Sequence, residues 1–203
     1  IEAGRFADQI APITVKTRKG EVEIKTDEHP KPQTTSEDLG KLRPAFAKDG
    51  TVTAGNASGI NDGAAAIVLA DAEMAEKAGR RIRARITGYA HSGVRPEVMG
   101  LGPIPAVTAL LEKTGLSAGD FDVIESNEAF AAQALAVNDG LGVDETRVNP
   151  NGGAIALGHP IGATGAILVL KCLAELERTG GSKGLVTMCI GGGQGIALAL
   201  ERG

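Results

Sequence analysis

Gly162-Ala163-Thr164-Gly165-Ala166-Ile167-Leu168-Val169-Leu170 carries no charge and opens the strongest helical pattern in the chain, Gly162–Arg178. A helix start of that kind must be enclosed by other structure. Two apolar runs follow, Leu185–Ile190 and Ile196–Leu200, and both read as strands. Gly191-Gly192-Gly193-Gln194 turns between them. Upstream, 82–90 and Phe121–Glu125 read as strands. Pro105–Lys113 has helical spacing at Val107, Leu110 and Leu111, and Glu128–Asn138 is apolar nearly all round, as in a buried helix. A very short extended piece falls at Arg147–Asn149. Residues 82–203 thus alternate strand and helix and end on a hairpin, which predicts an α/β layer with a mixed sheet. About 120 residues suffice for one such core.

The segment before it has a different texture. Ala64–Ala70 is a small-apolar run suited to a buried strand. Asp71 caps a helix over Ala72–Ala78, and Gly79 stops it. One strand and one helix cannot make a sheet, so 51–81 must complete another. Residues 10–27 read as a surface hairpin, with Ile13, Val15, Val22 and Ile24 alternating around Arg18-Lys19-Gly20. Residues 28–50 hold Pro30, Pro32 and Pro44 and read as an extended loop with a short helix near Ser36–Leu42. The chain opens Ile1-Glu2-Ala3-Gly4-Arg5-Phe6, without Met, which we read as an internal cut through a longer protein.

Composition excludes several functions. The 203 residues carry a formal net charge of −4, where a nucleic-acid binder has a basic surplus. Four Phe, one Tyr and no Trp give few rings for stacking bases. Apolar runs fall far short of the ~20 residues that span a bilayer. Two Cys make no disulfide framework, which points to a soluble protein of a reducing compartment, the cytoplasm. Three His and two Cys are too scattered for a metal cluster.

Three motifs could carry chemistry. The first is Gly191-Gly192-Gly193-Gln194-Gly195, which follows a strand as a dinucleotide fingerprint would. Only eight residues remain after it, too few for the helix, strand and acidic residue that the fingerprint needs. The glycines instead suggest backbone packed close to a ligand or to the buried helix. Their N–H groups follow Cys189, beside which they could hold an oxyanion while the thiol moves a proton. The alternative for Cys189 is an inert small hydrophobe, and Cys172, in mid-helix, fits that alternative. The second motif is Asn151–Gly162, a loop whose titratable group, His159, precedes a helix N-terminus that favours anions. A packed structural histidine is the alternative. The third is Asn127-Glu128-Ala129-Phe130, at a strand-to-helix switch where α/β ligand sites collect. There Asn127 is either a ligand residue or a plain N-cap, and Glu128 suits a first helical turn.

Ser126-Asn127-Glu128-Ala129-Phe130-Ala131-Ala132-Gln133, the Asn149–Ala166 stretch with Gly158-His159-Pro160, and Cys189–Gly195 resemble, in order, the three C-terminal signatures of thiolases. Thr51–Ala65, with Ala54-Gly55-Asn56-Ala57-Ser58, and Gly100–Pro105 match as well, so the resemblance covers essentially the whole chain. It implies the thiolase fold, two stacked βαβαβαββ units with a loop domain inserted in the first. Residues 82–203 would be the complete C-terminal unit, 51–81 the last strand and helix of the first unit, and 1–50 the closing part of the loop domain. Nothing here corresponds to the family's nucleophilic cysteine, which lies in the first unit. Ser126 stands where Ala is more usual, and Lys31 stands where an Arg often meets the CoA phosphates.

The chemistry implied is acetyl transfer between CoA thioesters, by Claisen condensation or thiolysis. His159 would activate the missing cysteine, Asn127 would hold a water in one oxyanion hole, Cys189 would move the α-proton, and the Gly191 N–H would serve a second oxyanion hole. Ser58, with Ala54 beside it, would meet the pantetheine. Phe46, Met99, Ala129 and Phe130 would line the acyl and pantetheine tunnel. No metal or redox cofactor is implied, CoA being a substrate. The implied partners are the missing N-terminal half and further copies, as a homodimer or homotetramer. Two alternatives stand beside this reading. One is a ketoacyl synthase, against which the Asn127-Glu128-Ala129-Phe130 signature argues. The other is a non-catalytic fragment that binds CoA or another subunit.

Overall fold

The computed structural model describes residues 1–203. Its first element pair is the expected hairpin, β1 (Ile13–Thr17) and β2 (Gly20–Ile24), with Val15 opposite Val22. Both strands are exposed along their length, as a surface arm should be. In the proline-bearing loop one short helix forms, α1 (Ser36–Gly40), with a reciprocal cap between Thr35 and Asp38. Next comes α2 (Ala72–Lys77), whose N-cap Asp71 accepts the Met74 N–H and whose end is turned by Gly79 at φ +61°.

The expected strand at Ala64–Ala70 does not form. No strand of the chain lies beside it, and a lone extended segment leaves its N–H and C=O groups without ladder partners. Its apolar side chains face outward, Val68 being 95% and Leu69 73% exposed, with Ile60 nearby at 88%. An apolar extended segment without partners is a template for association. The isolated chain should therefore self-associate, with light scattering that rises with concentration. A monodisperse monomer over a wide concentration range would count against this.

The core occupies the rest. The elements in order are β3 (Arg85–Gly93), α3 (Pro103–Thr114), β4 (Val123–Ser126), α4 (Ala131–Leu141), α5 (Ala154–Leu157), α6 (Thr164–Thr179), β5 (Lys183–Ile190) and β6 (Gln194–Glu201). The sheet order is β3-β6-β5-β4, with β4 and β5 parallel and β6 antiparallel to both its neighbours. The short extended piece at Arg147–Asn149 adds one parallel bridge, Val148 to Ile124, at the β4 edge. The mixed α/β layer is therefore present, with its third strand reduced to a bridge.

Strand alternation sends side chains to two cores. Ile124, Leu185, Ala197 and Ala199 meet Ala106, Val107 and Leu110 of α3 on one face. Val123, Val186 and Leu200 meet Leu168, Cys172, Leu173 and Leu176 of α6 on the other. Three local expectations shift. The 82–90 strand begins at Arg85 and extends to Gly93. The 128–138 helix begins only at Ala131 and buries one side, through Gln133 and Val137, while Leu135 is exposed. Its near-uniform apolarity came from alanines, which tolerate either environment. The uncharged stretch that opens α6 is enclosed only in part, with Ala163, Thr164 and Leu168 buried, Ile167 half-buried and Gly162 exposed.

Candidate active site

The site begins where β4 ends. The Asn127 N–H donates to the Thr187 carbonyl at 3.0 Å, extending the parallel pairing past Ser126. Because α4 starts four residues later, with Phe130 at its cap position, Asn127 is not an N-cap. Its side chain is 1% exposed. Nδ2 lies 3.4 Å from His159 Nε2, and Oδ1 has no protein partner.

His159 reaches this point on a loop held from several sides. Asn149, at φ +45°, accepts the Ser126 N–H at 3.0 Å and donates Nδ2 to the Ser126 carbonyl at 2.8 Å. Its side chain thus continues the sheet. Glu128 is not in a helical first turn. It accepts Asn149 Nδ2 and the Ile155 N–H, both at 3.2 Å. A Cβ on Gly153 would collide with the Glu128 carboxylate, so a side chain there would displace the group that accepts Asn149 Nδ2 and the Ile155 N–H. The His159 N–H donates to Asn61 Oδ1 at 3.0 Å. The amide of Asn61 therefore faces His29 Nδ1, 3.3 Å away, and leaves His29 Nε2 to donate to the Ile155 carbonyl at 3.2 Å.

These bonds fix the tautomer of His159. The Thr164 hydroxyl spends its proton on the Pro160 carbonyl at 2.9 Å, so at 2.7 Å it must accept from His159 Nδ1–H. Nε2 is then the unprotonated nitrogen, and the Asn127 amide is the group that can face it. Burial lowers the His159 ring below the ordinary histidine value, so the ring is neutral at pH 7. At the α6 N-terminus the Ala163 and Thr164 N–H groups both donate to the Pro160 carbonyl, whereas the Gly165 and Ala166 N–H groups have no backbone acceptor. His159 Nδ1 is thus tied to the Thr164 side chain at the start of the same helix.

Cys189 lies near the end of β5, 7% exposed, opposite Gly195 of β6, and burial raises its thiol. In the turn that follows, Gly193 donates to the Ile190 carbonyl at 3.3 Å, while the Gly191 N–H has no backbone acceptor. The glycines serve different needs. A Cβ on Gly193 would strike the Val94 carbonyl, and one on Gly195 the Gly102 carbonyl, whereas Gly191 faces open space. The close partner of Gly193 and Gly195 is thus the 94–102 backbone, not the buried helix.

A second group of expected residues meets beside Asn127. The Ser58 N–H donates to the Ala129 carbonyl at 3.0 Å, Ala57 bridges Phe130, and Phe46 stands edge-on to Phe130 with centroids 6.1 Å apart. Ala54 is exposed in the turn that Asn56 closes onto Thr53, and Met99 is half-buried in the 96–101 turn. Cys172 is fully buried in the α6 core, its thiol pushed well up by burial.

Sequence reading missed Asn61, Thr164, His29 and the buried Glu125–Lys171 pair. Thr164 and Asn61 carry no signal beyond their place in quoted stretches. Lys171 and Glu175 had one, for they lie three and seven residues after Leu168 on the helix stripe that Leu168, Cys172 and Leu176 define as buried.

The family described as the thiolase C-terminal domain matches residues 80–202, and that described as the thiolase N-terminal domain matches residues 1–73. The β-ketoadipyl-CoA thiolase of Pseudomonas knackmussii is 59% identical over 202 residues, which are 98% of this chain and 50% of that protein. The crystal structure of the Bacillus anthracis acetyl-CoA acetyltransferase superposes with a TM-score of 0.97 at 52% identity, over 99% of this chain and 51% of the other. That of human mitochondrial 3-ketoacyl-CoA thiolase in complex with CoA gives 0.91 at 47% identity, over 100% and 50%. The chain spans about half the length of the relatives it matches. With both family descriptions matched in order, the Asn127–His159 pair and the Cys189 turn sit in a fold shared almost throughout with these proteins, and the chain belongs to the thiolase family.

Proposed function

We propose that this chain supplies the acid–base half of a thiolase that transfers acetyl groups between CoA thioesters, by thiolysis of a 3-ketoacyl-CoA or condensation of two acetyl-CoA molecules. The carrying observation is the Asn127–His159 pair. Side chains 32 residues apart meet at 3.4 Å, with the His159 tautomer set by Thr164. In this reading the acyl-accepting cysteine lies in the remainder of the complete protein. Residues 1–50 belong to its loop domain, 51–81 complete the first unit, and 82–203 form the second.

His159 Nε2, unprotonated in the resting ring, takes the thiol proton as the thiolate attacks the thioester. Nε2–H then points a donor at the developing oxyanion, and as the tetrahedral adduct collapses the carbonyl–sulfur bond to CoA breaks and CoA takes that proton to leave as the thiol. Asn127, whose Nδ2 lies 3.4 Å from His159 Nε2, holds a water that completes this oxyanion hole. Cys189 removes or returns the α-proton, and the Gly191 N–H serves the oxygen of the acyl group. Ser58, Ala54, Phe46, Met99, Ala129 and Phe130 receive the pantetheine and acyl chain. CoA is substrate, and this scheme uses no further cofactor. The complete protein acts in the cytoplasm as a homodimer or homotetramer in fatty-acid metabolism. No helix of the chain is long and apolar enough to cross a membrane.

His159→Ala in the complete protein should slow acylation by acetyl-CoA about 10²–10⁴-fold, the contribution of a positioned acid–base group. In the parent enzyme the rate should hold at pH 7 and fall as acid protonates Nε2, with a midpoint below the ordinary value of about 6.5, because burial penalises the charged ring. Near-normal acylation in a folded variant would return His159 to a packing role. For the chain alone, a second reading has its own support. Both cysteines are buried, with thiols raised by burial, so by itself this is a non-catalytic piece that binds CoA or its own other half.

A further inference from the structure

The far side of the site loop rests on buried charge. Glu125, fully buried in the middle of β4, accepts Lys171 Nζ of α6 at 2.6 Å. The same ammonium donates to the Gly152 carbonyl at 2.7 Å. Lys171 is itself only 6% exposed, and the second carboxylate oxygen of Glu125 has no protein partner. One turn further along α6, Glu175 accepts Asn151 Nδ2 at 2.7 Å and Arg178 Nε at 2.8 Å, and Asn151 Oδ1 accepts Arg5 Nη1 at 2.5 Å. Asn151 and Gly152 are thereby gripped at successive positions.

Stability does not explain such a pair. Burial raises Glu125 to about 7 even with Lys171 beside it, and a carboxyl and an ammonium taken out of water gain little over well-packed apolar residues of the same volume. Its geometry is more informative, because each group that Lys171 touches belongs to an element that carries the Asn127–His159 pair. Glu125 lies two residues before Asn127. Gly152 lies in the loop that delivers His159. Lys171 follows Thr164, the residue that holds His159 Nδ1, by seven positions, about 10 Å or two turns down the same face of α6 at roughly 1.5 Å per residue.

We propose that Lys171 is a positioning residue for acyl transfer, its ammonium locking β4, the 149–158 loop and α6 into the one arrangement that sets Asn127 against His159. The inference rests on the acyl-transfer reading above. Lys171 touches neither substrate nor reacting atoms, and acts through Glu125 and Gly152.

The test uses the complete protein. Lys171→Met keeps the length of the side chain and removes the charge. It should lower kcat for thiolysis of acetoacetyl-CoA about 10²-fold, the usual cost of an ångström-scale misplacement, with KM unchanged. Because that variant leaves Glu125 buried and unpaired, Lys171→Met/Glu125→Leu is made alongside it, so that no lone charge remains to unfold the protein. The double variant should melt at the parent temperature yet keep the low kcat, and its His159 ring should titrate by NMR at a midpoint displaced from the parent's. A double variant with parental melting, parental kcat and parental His159 titration would overturn the proposal. Absence of thiolysis in the parent would overturn the acyl-transfer reading instead, and the His159 titration would still report whether Lys171 sets the ring.

Discussion

Acetoacetyl-CoA incubated with CoA and the 203-residue chain alone should be recovered intact. A proton acceptor at His159 Nε2, an amide at Asn127 and a free N–H at Gly191 are in place, but thiolysis by this route needs a thiol that can take the acyl group. Cys172 has no exposure and lies among Val123, Leu173 and Leu176. Cys189 is 7% exposed, and burial holds its thiol protonated at neutral pH. Neither meets the requirement of an accessible, readily ionised sulfur. Release of acetyl-CoA above a buffer control, in a preparation free of any longer form, would show that one of them does. Adding back the remainder of the protein should restore turnover.

Cys189→Ala in the complete protein separates two steps that a single turnover assay merges. The variant should still form an acyl-enzyme from acetyl-CoA, since in the proposed scheme that step uses His159 and the acyl-accepting cysteine of the remainder of the protein. It should lose solvent exchange of the acetyl α-protons by about 10²–10⁴-fold, the loss expected when a general base is removed. Cys189 sits two residues before Gly191, whose N–H faces the same turn, and no other side chain of that turn titrates. Mass spectrometry reads the adduct and NMR reads deuterium uptake. Lost acylation with intact exchange would reverse the two roles.

Much of this was legible in the chain itself. The two strands around the glycine turn, the α6 helix, the surface hairpin and the Asp71 cap follow from periodicity and local chemistry, and the structure places them within a few residues. Ala64–Ala70 failed for a non-local reason, because a strand exists only where another lies beside it. The start of α4 moved because alanine gives no stripe to set a boundary. At the site, His159 and Asn127 could be named singly, since each ends or precedes an element. Their meeting could not, because it depends on a loop fixed by Asn149, Glu128 and Asn61. The direction of the His159 proton was less visible still, since it turns on a hydroxyl five residues away that donates to Pro160.

The contact of Gly195 with Gly102 also limits how the sequence can drift. A side chain on Gly195 would meet the main chain at Gly102, at the start of α3, and one on Gly102 would meet the main chain at Gln194 and Gly195, where there is no flexible group to swing aside. Replacing one glycine cannot be compensated by changing the other, because the partner already has the smallest side chain available. The two codons are therefore held independently, with no neutral intermediate between them. If the proposed scheme holds, variation that reshapes substrate preference enters through positions such as Phe46 or Met99, and the turn beneath Gly191 stays constant as they change.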